Sequence, residues 1–181
     1  MIYLQPVTSC DKNALTFVKE LYIKAFPPEE RRDFDTICDL LRATETFGMS
    51  LLCDTDVPVG FITYWRWSQF AYIEHFAVSA ASRGRGYGTK ALSLFSKEVE
   101  QPIVLEVELP LDEMARRRIA FYERAGFTLC PRRYIQPPYS DQLPPVELRL
   151  MFYGGDLDHT FEEVRDKIHR EVYGVESGRY V

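Results

Sequence analysis

The spacing of apolar and polar positions divides the chain into short elements. Residues 2–7 are an apolar run with Pro6 near its end, which predicts an opening strand near a sheet edge, where a missing N–H does least harm. After Asp11, a candidate N-cap, Leu15, Val18, Leu21, Tyr22 and Ala25 recur at helical spacing, and the helix stops at Phe26-Pro27-Pro28. Pro28 can open a second helix with Glu29 and Glu30 at its positive end; Phe34, Ile37, Cys38 and Leu41 then make one apolar stripe. Residues 49–53 and 57–67 predict an antiparallel hairpin turning at Asp54-Thr55-Asp56, and Gln69-Phe70 leads into a third strand at 72–78.

Beyond that meander, strand and helix alternate. A glycine-rich loop over 83–89 precedes a helix with Leu92, Phe95 and Val99 on one face, ending before Pro102. Ile103, Leu105, Val107 and Leu109 alternate with Val104, Glu106 and Glu108, a half-buried strand with two carboxylates on its other face. Strand, helix and strand in that order imply a crossover and local parallel pairing. Asp112 caps a further helix through Ala115, Ile119, Phe121, Tyr122 and Ala125, which Gly126 stops. A sixth strand is predicted over 127–134, then a stiff loop carrying Pro137, Pro138, Pro144 and Pro145, then a strand over 146–152. The last helix spans 156–173 with Phe161, Val164, Ile168 and Val172 on one side; Gly174 ends it ahead of a loose tail, and His159 and His169 are expected at its surface.

A chain of 181 residues suits one domain with a proper core. Its net charge of -5 argues against general nucleic-acid binding, although Arg31-Arg32, Arg83 with Arg85, Arg116-Arg117-Arg118 and Arg132-Arg133 are local basic patches. Cys10, Cys38, Cys53 and Cys130 are widely spaced and form no CxxC pair, so neither a zinc site nor a disulfide framework is expected. With neither a basic leader before an apolar run nor an apolar stretch near the roughly 20 residues a membrane helix needs, the expectation is a soluble cytoplasmic protein without membrane contact.

The chemistry concentrates in residues 72–95. Between strand and helix, Gly84, Gly86 and Gly88 let the backbone turn tightly and approach a ligand, and the free N–H groups opening the helix point at whatever binds there, which suits phosphate. A dinucleotide fingerprint is excluded, because the strand before the loop belongs to an antiparallel meander and the spacing differs. A P-loop is excluded because GxxxxGK followed by Ser or Thr is absent.

Arg83, Gly86 and Gly88 match the pyrophosphate signature of Arg or Gln, two residues, Gly, one residue, then Gly or Ala, and Phe121-Tyr122-Glu123-Arg124-Ala125-Gly126-Phe127 matches an aromatic pair, short spacer and Gly-Phe. By these motifs and the order of elements, the chain resembles the GNAT superfamily of acyl-CoA-dependent N-acyltransferases. The resemblance covers residues 1–152, leaving 153–181 as a C-terminal helical extension of a single acetyltransferase domain. It implies an α/β (α+β) fold with a mixed, mostly antiparallel sheet of about seven strands flanked by helices. Acetyl-CoA is then the co-substrate, no metal is needed, and the acceptor is a small-molecule or peptide amine; the chain is a monomer or homodimer.

Under that resemblance Arg83, Arg85, Gly86, Tyr87, Gly88 and Thr89 hold the CoA pyrophosphate, and the backbone of Phe76, Ala77 and Val78 pairs with pantetheine as an added strand would. A strand N–H near Ala77 stabilises the oxyanion. Tyr122 is the general acid that delivers a proton to the departing thiolate. Glu74 is the candidate base for the acceptor ammonium, with a solvated or salt-bridged strand glutamate as the equal alternative. Glu106, Glu108, Glu29 and Glu30 could serve instead or attract a cationic substrate, and His75 is expected to be structural. Where many relatives have Asn, this chain has Ala115; Arg116, Arg117 and Arg118 after it either contact phosphate or solvate the helix. The competing function is a non-catalytic CoA-binding sensor or scaffold.

Overall fold

A computed structural model describes residues 1–155 and 160–180. They fall into two compact units, Met1–Gln101 and Pro102–Val181. The architecture is mixed α/β with eight strands among the described residues, one more than expected, and the pairings within each unit are antiparallel.

In the first unit the order is β1 (Ile2–Pro6), α1 (Lys12–Ala25), α2 (Phe34–Ala43), β2 (Phe47–Asp54), β3 (Val57–Arg66), β4 (Ala71–Val78) and α3 (Tyr87–Val99). The strands run β1-β2-β3-β4, so Pro6 ends an outer strand, as its missing N–H requires. Tyr22 of α1 packs on Phe61 and His75, while Phe95 of α3 packs on Tyr64, three positions from Phe61 along β3. Successive strand side chains point to opposite faces, so the two helices cover opposite faces of the meander. Tyr22, Phe61 and Phe95 are at most 1% exposed, and burying each such side chain contributes about 1.5–3 kcal/mol. Gly60 lets β3 close on β4: a Cβ there would lie 2.5 Å from the Ala77 carbonyl oxygen.

Two expectations in this unit are corrected. Residues Pro28–Glu30 make one 3-10 turn rather than the start of α2, since Arg31 after them is extended (φ -141°, ψ 151°), and α2 begins at Phe34 with Asp33 accepting from the Asp35 amide. Asp11 does not cap α1 with its side chain; its carboxylate instead takes the Thr8 amide and hydroxyl at 2.8 and 2.9 Å.

The second unit comprises β5 (Ile103–Glu108), α4 (Glu113–Arg124), β6 (Thr128–Leu129), β7 (Tyr134–Gln136), β8 (Val146–Tyr153) and α5 (Phe161–Tyr173). Antiparallel β5, β6 and β7 all pair with β8. The strand predicted over 127–134 is split because Pro131 has no N–H to continue the ladder after Cys130 donates to Leu150. The expected start of the last helix at Asp156, and His159, lie outside the described residues. Within α5, Phe161, Val164, Ile168 and Val172 are buried as their spacing predicts. His169, expected at the surface, is fully buried against the rings of Tyr134 and Tyr180, because its position flanks Ile168 and Val172 on the helix's apolar side.

Candidate functional site

The glycine loop opens α3 with two left-handed residues. Gly84 and Gly86 both have φ 76°, where a side chain is strained, and a Cβ on either would meet no protein atom within 4 Å. Thus the glycines answer a backbone requirement and leave open space over the helix start. Gly86 is the N-cap, and the first helical amides, those of Tyr87, Gly88 and Thr89, precede the first bond of the ladder, Lys90 N–H to the Gly86 carbonyl. Such a terminus carries partial positive charge and donors without helical partners. Arg85 and Arg83 are exposed beside it, and Arg83 Nε reaches the Val78 carbonyl at 3.3 Å. The Tyr87 hydroxyl donates to Asp54 at 2.6 Å, and Arg85 of the loop also acts on it.

Strand β4 leads into this loop. The Ser79 amide donates to the Val59 carbonyl, and antiparallel alternation therefore turns the Ala77 amide toward β3 and those of Phe76 and Val78 toward the other edge. A bulge interrupts the ladder one step earlier: Thr63 faces His75 and Tyr64 faces Ile73, which leaves Glu74 as the inserted residue.

Glu74 is held by protein groups. Its side chain is 1% exposed; Oε1 accepts from Arg32 Nε at 2.7 Å and Oε2 from Trp65 Nε1 at 2.6 Å. Burial pushes this carboxyl up, but the Arg32 charge and the hydrogen bonds from Trp65 and Arg32 outweigh it and hold it below the ordinary glutamate range. Glu74 is thus ion-paired with Arg32 and hydrogen-bonded to Trp65. His75 is buried beside it, stacked edge-on between Tyr22 and Phe26. Its Nε2 donates to the Glu30 carbonyl at 2.9 Å, so Nδ1 accepts from the Thr63 hydroxyl; burial lowers its pKa and keeps the ring neutral. Neither Arg32 nor Trp65 was recognisable from sequence, since no spacing rule links residue 32 to residue 74.

In the second unit the Tyr122 motif has a physical explanation. Gly126, at φ 93°, sits just past the end of α4, donating to the Glu123 carbonyl at 2.9 Å, while Phe127 donates to the Tyr122 carbonyl at 3.0 Å. This is a Schellman closure, and it folds the Phe127 ring against Tyr122 at 5.7 Å. Tyr122 is 8% exposed; burial, opposed by Arg118 and assisted by Glu108, pushes its phenol up to about 12. The arginine run is engaged within the unit: Arg116 with the Pro110 carbonyl, Arg117 with Glu113 and Arg118 with Glu108. Glu106 accepts from the hydroxyls of Tyr134 and Tyr173, a cluster that the sequence pattern did not reveal. Among the described residues no group of three or more His, Cys, Asp or Glu could hold a metal ion, and no helix is long and apolar enough to cross a membrane.

Residues 15–127 match the model of the Acetyltransferase (GNAT) family. The chain belongs to this family. Among solved structures it is similar to a Bacteroides thetaiotaomicron protein assigned to the GNAT family as an acetyltransferase, at 42% identity and TM-score 0.92, over 96% of this chain and 99% of that one. The GNAT fold recurs at 19% identity and TM-score 0.62 in the ribosomal-protein-S18-alanine N-acetyltransferase from Escherichia coli, over 86% of this chain and 97% of that one. It recurs again in Arabidopsis thaliana Naa50 in complex with the bisubstrate analogue CoA-Ac-MVNAL, at 22% identity and TM-score 0.61, over 85% of this chain and 99% of that one. A comparison with curated proteins returned no match. As a GNAT protein the chain is an acetyltransferase of a family that uses acetyl-CoA.

Proposed function

We propose that this GNAT protein transfers the acetyl group of acetyl-CoA to a primary amine by direct attack in a ternary complex. The observation that carries the reading is the opening of α3, where two left-handed glycines leave open space over a row of helix N-terminal amides. That arrangement suits the CoA pyrophosphate, with the amides of Gly86, Tyr87, Gly88 and Thr89 donating and Arg83 and Arg85 adding charge. Pantetheine then lies along residues 76–78, whose Phe76 and Val78 backbones face away from β3. On this reading a strand N–H near Ala77 donates to the thioester oxygen as it becomes an oxyanion.

In the reaction the neutral amine nitrogen bonds to the thioester carbon, the tetrahedral adduct collapses, and the carbon–sulfur bond breaks to release the thiolate. Tyr122 is the proposed donor to that sulfur. A phenol near 12 keeps its proton throughout the physiological range, yet full transfer to a thiolate of ordinary pKa near 8.5 is uphill by about 5 kcal/mol. Its role is therefore to hydrogen-bond the sulfur as charge develops; the adduct nitrogen, cationic after attack, loses one proton as the amide forms, and the thiolate gains one. The acceptor is a small or peptide amine, in keeping with structural relatives that act on an S18 alanine, carry a CoA-peptide analogue or acetylate spermidine.

The test is CoA release from acetyl-CoA with a panel containing spermidine, an aminoglycoside, single amino acids and short peptides with a free α-amine. Release above background with at least one of them is expected. Tight CoA binding with no release from any would establish a CoA-binding module instead.

A further inference from the structure

We propose that Glu74 is a positioning residue: with His75 it holds the turn between α1 and α2 against β4, where that turn forms a wall for the acceptor amine. The inference rests on the reading that pantetheine lies along residues 76–78. Adjacent strand residues ordinarily point to opposite faces, but the bulge at Glu74 re-aims it, and Glu74 and His75 reach the same turn. Glu74 takes the Arg32 side chain, and His75 donates to the Glu30 carbonyl. The Tyr22 hydroxyl accepts from the Arg32 amide at 2.7 Å, and Arg31 Nη1 reaches back to the Ile23 carbonyl at 2.9 Å.

The turn needs these anchors. Pro27 and Pro28 have no N–H to donate, Pro28–Glu30 is a single 3-10 turn, and Arg31 beyond it is extended. What fixes residues 28–33 is therefore their set of bonds to α1 and β4. The anchor at Glu74 lies two strand residues before Phe76, about 7 Å along β4, which puts the turn beside the acyl end of the bound pantetheine. A base must come within hydrogen-bond reach of the proton it removes. Glu74 instead presents both oxygens to protein donors, and its side chain is almost wholly covered. The proton of the acceptor ammonium goes elsewhere.

The experiment compares wild type, Glu74→Gln, Arg32→Gln and Arg32→Lys with spermidine and with a short peptide bearing a free α-amine. On this proposal Glu74→Gln raises the amine KM about tenfold, with kcat falling less than about threefold and the acidic limb of kcat/KM against pH keeping its midpoint. Arg32→Gln reproduces that change, the double variant is no worse than either single one because both break the same bond, and Arg32→Lys restores part of the loss. A fall in kcat of about 100-fold or more with loss of the acidic limb would make Glu74 the base and overturn the proposal. An unchanged amine KM would remove the wall. Amide hydrogen exchange gives a readout independent of turnover: the Arg32 amide exchanges faster in Glu74→Gln while β3 and β4 stay protected. Unchanged exchange at Arg32 would overturn the anchor itself. If wild type acetylates neither amine, the functional reading fails for these acceptors while the exchange result still decides the anchor.

Discussion

At Tyr122 the surroundings favour a hydrogen-bond donor that never ionises in the working range. Its burial against Phe121 and Phe127 raises the phenol, and Arg118 only partly offsets that. Tyr122→Phe keeps the ring and its packing and removes only the hydroxyl, so kcat should fall by about 100-fold or more while the dissociation constant for acetyl-CoA changes less than about twofold. Equal kcat in steady-state assays of the two proteins would take Tyr122 out of the reaction. Its place was legible in the sequence because Gly126 and Phe127 form the helix closure that fixes it, and such a closure depends on local residue order. The environment of Glu74 was not legible. Alternation assigns a face only on an unbroken strand, and the bulge and the partner at Arg32 are non-local consequences of packing.

Elements differ in the same way. The start of α3 could be read because left-handed turns select glycine, whereas the start of α2 was misplaced because Pro28 with two following glutamates is an equally good opening for a 3-10 turn. Gly86→Ala tests the α3 opening. A left-handed alanine costs about 1–2 kcal/mol, so thermal unfolding should shift down by a few degrees. Since no protein atom is crowded by the new Cβ, a rise of about tenfold or more in the acetyl-CoA dissociation constant, read by calorimetry, would report the ligand alone. An unchanged constant would remove the loop from CoA binding. On α5, burial depresses the His169 pKa to about 4; the Ile135 backbone opposes that shift without reaching hydrogen-bonding geometry with either ring nitrogen. The folded value lies below the ordinary value near 6.5, so the neutral ring's contribution is fully present above pH 6.5 and is lost as pH falls toward 4. Thermal melts should show a steeper loss of stability between pH 6.5 and 4.5 in wild type than in His169→Phe, and parallel curves would contradict this. The surface position expected for His169 came from treating the appended helix as having one narrow apolar stripe, when its buried side is wide enough to include position 169.

Across the whole molecule the thiols bear on the reaction class. Cys53 and Cys130 are buried, and burial raises the pKa of Cys53 and of the half-buried Cys38, so neither of these two is poised as a thiolate that could carry the acetyl group. The proposed direct transfer uses no thiol of the protein. Composition alone excluded little: a net charge of -5 leaves room for the local basic loop that the fold places at the end of β4. The most direct measurement is the initial rate of CoA release as acetyl-CoA and the best amine of the panel are varied together. Intersecting double-reciprocal lines, with no burst of CoA when the amine is omitted, are the predicted result. Parallel lines with a stoichiometric burst would show an acetyl-enzyme and contradict direct attack in a ternary complex.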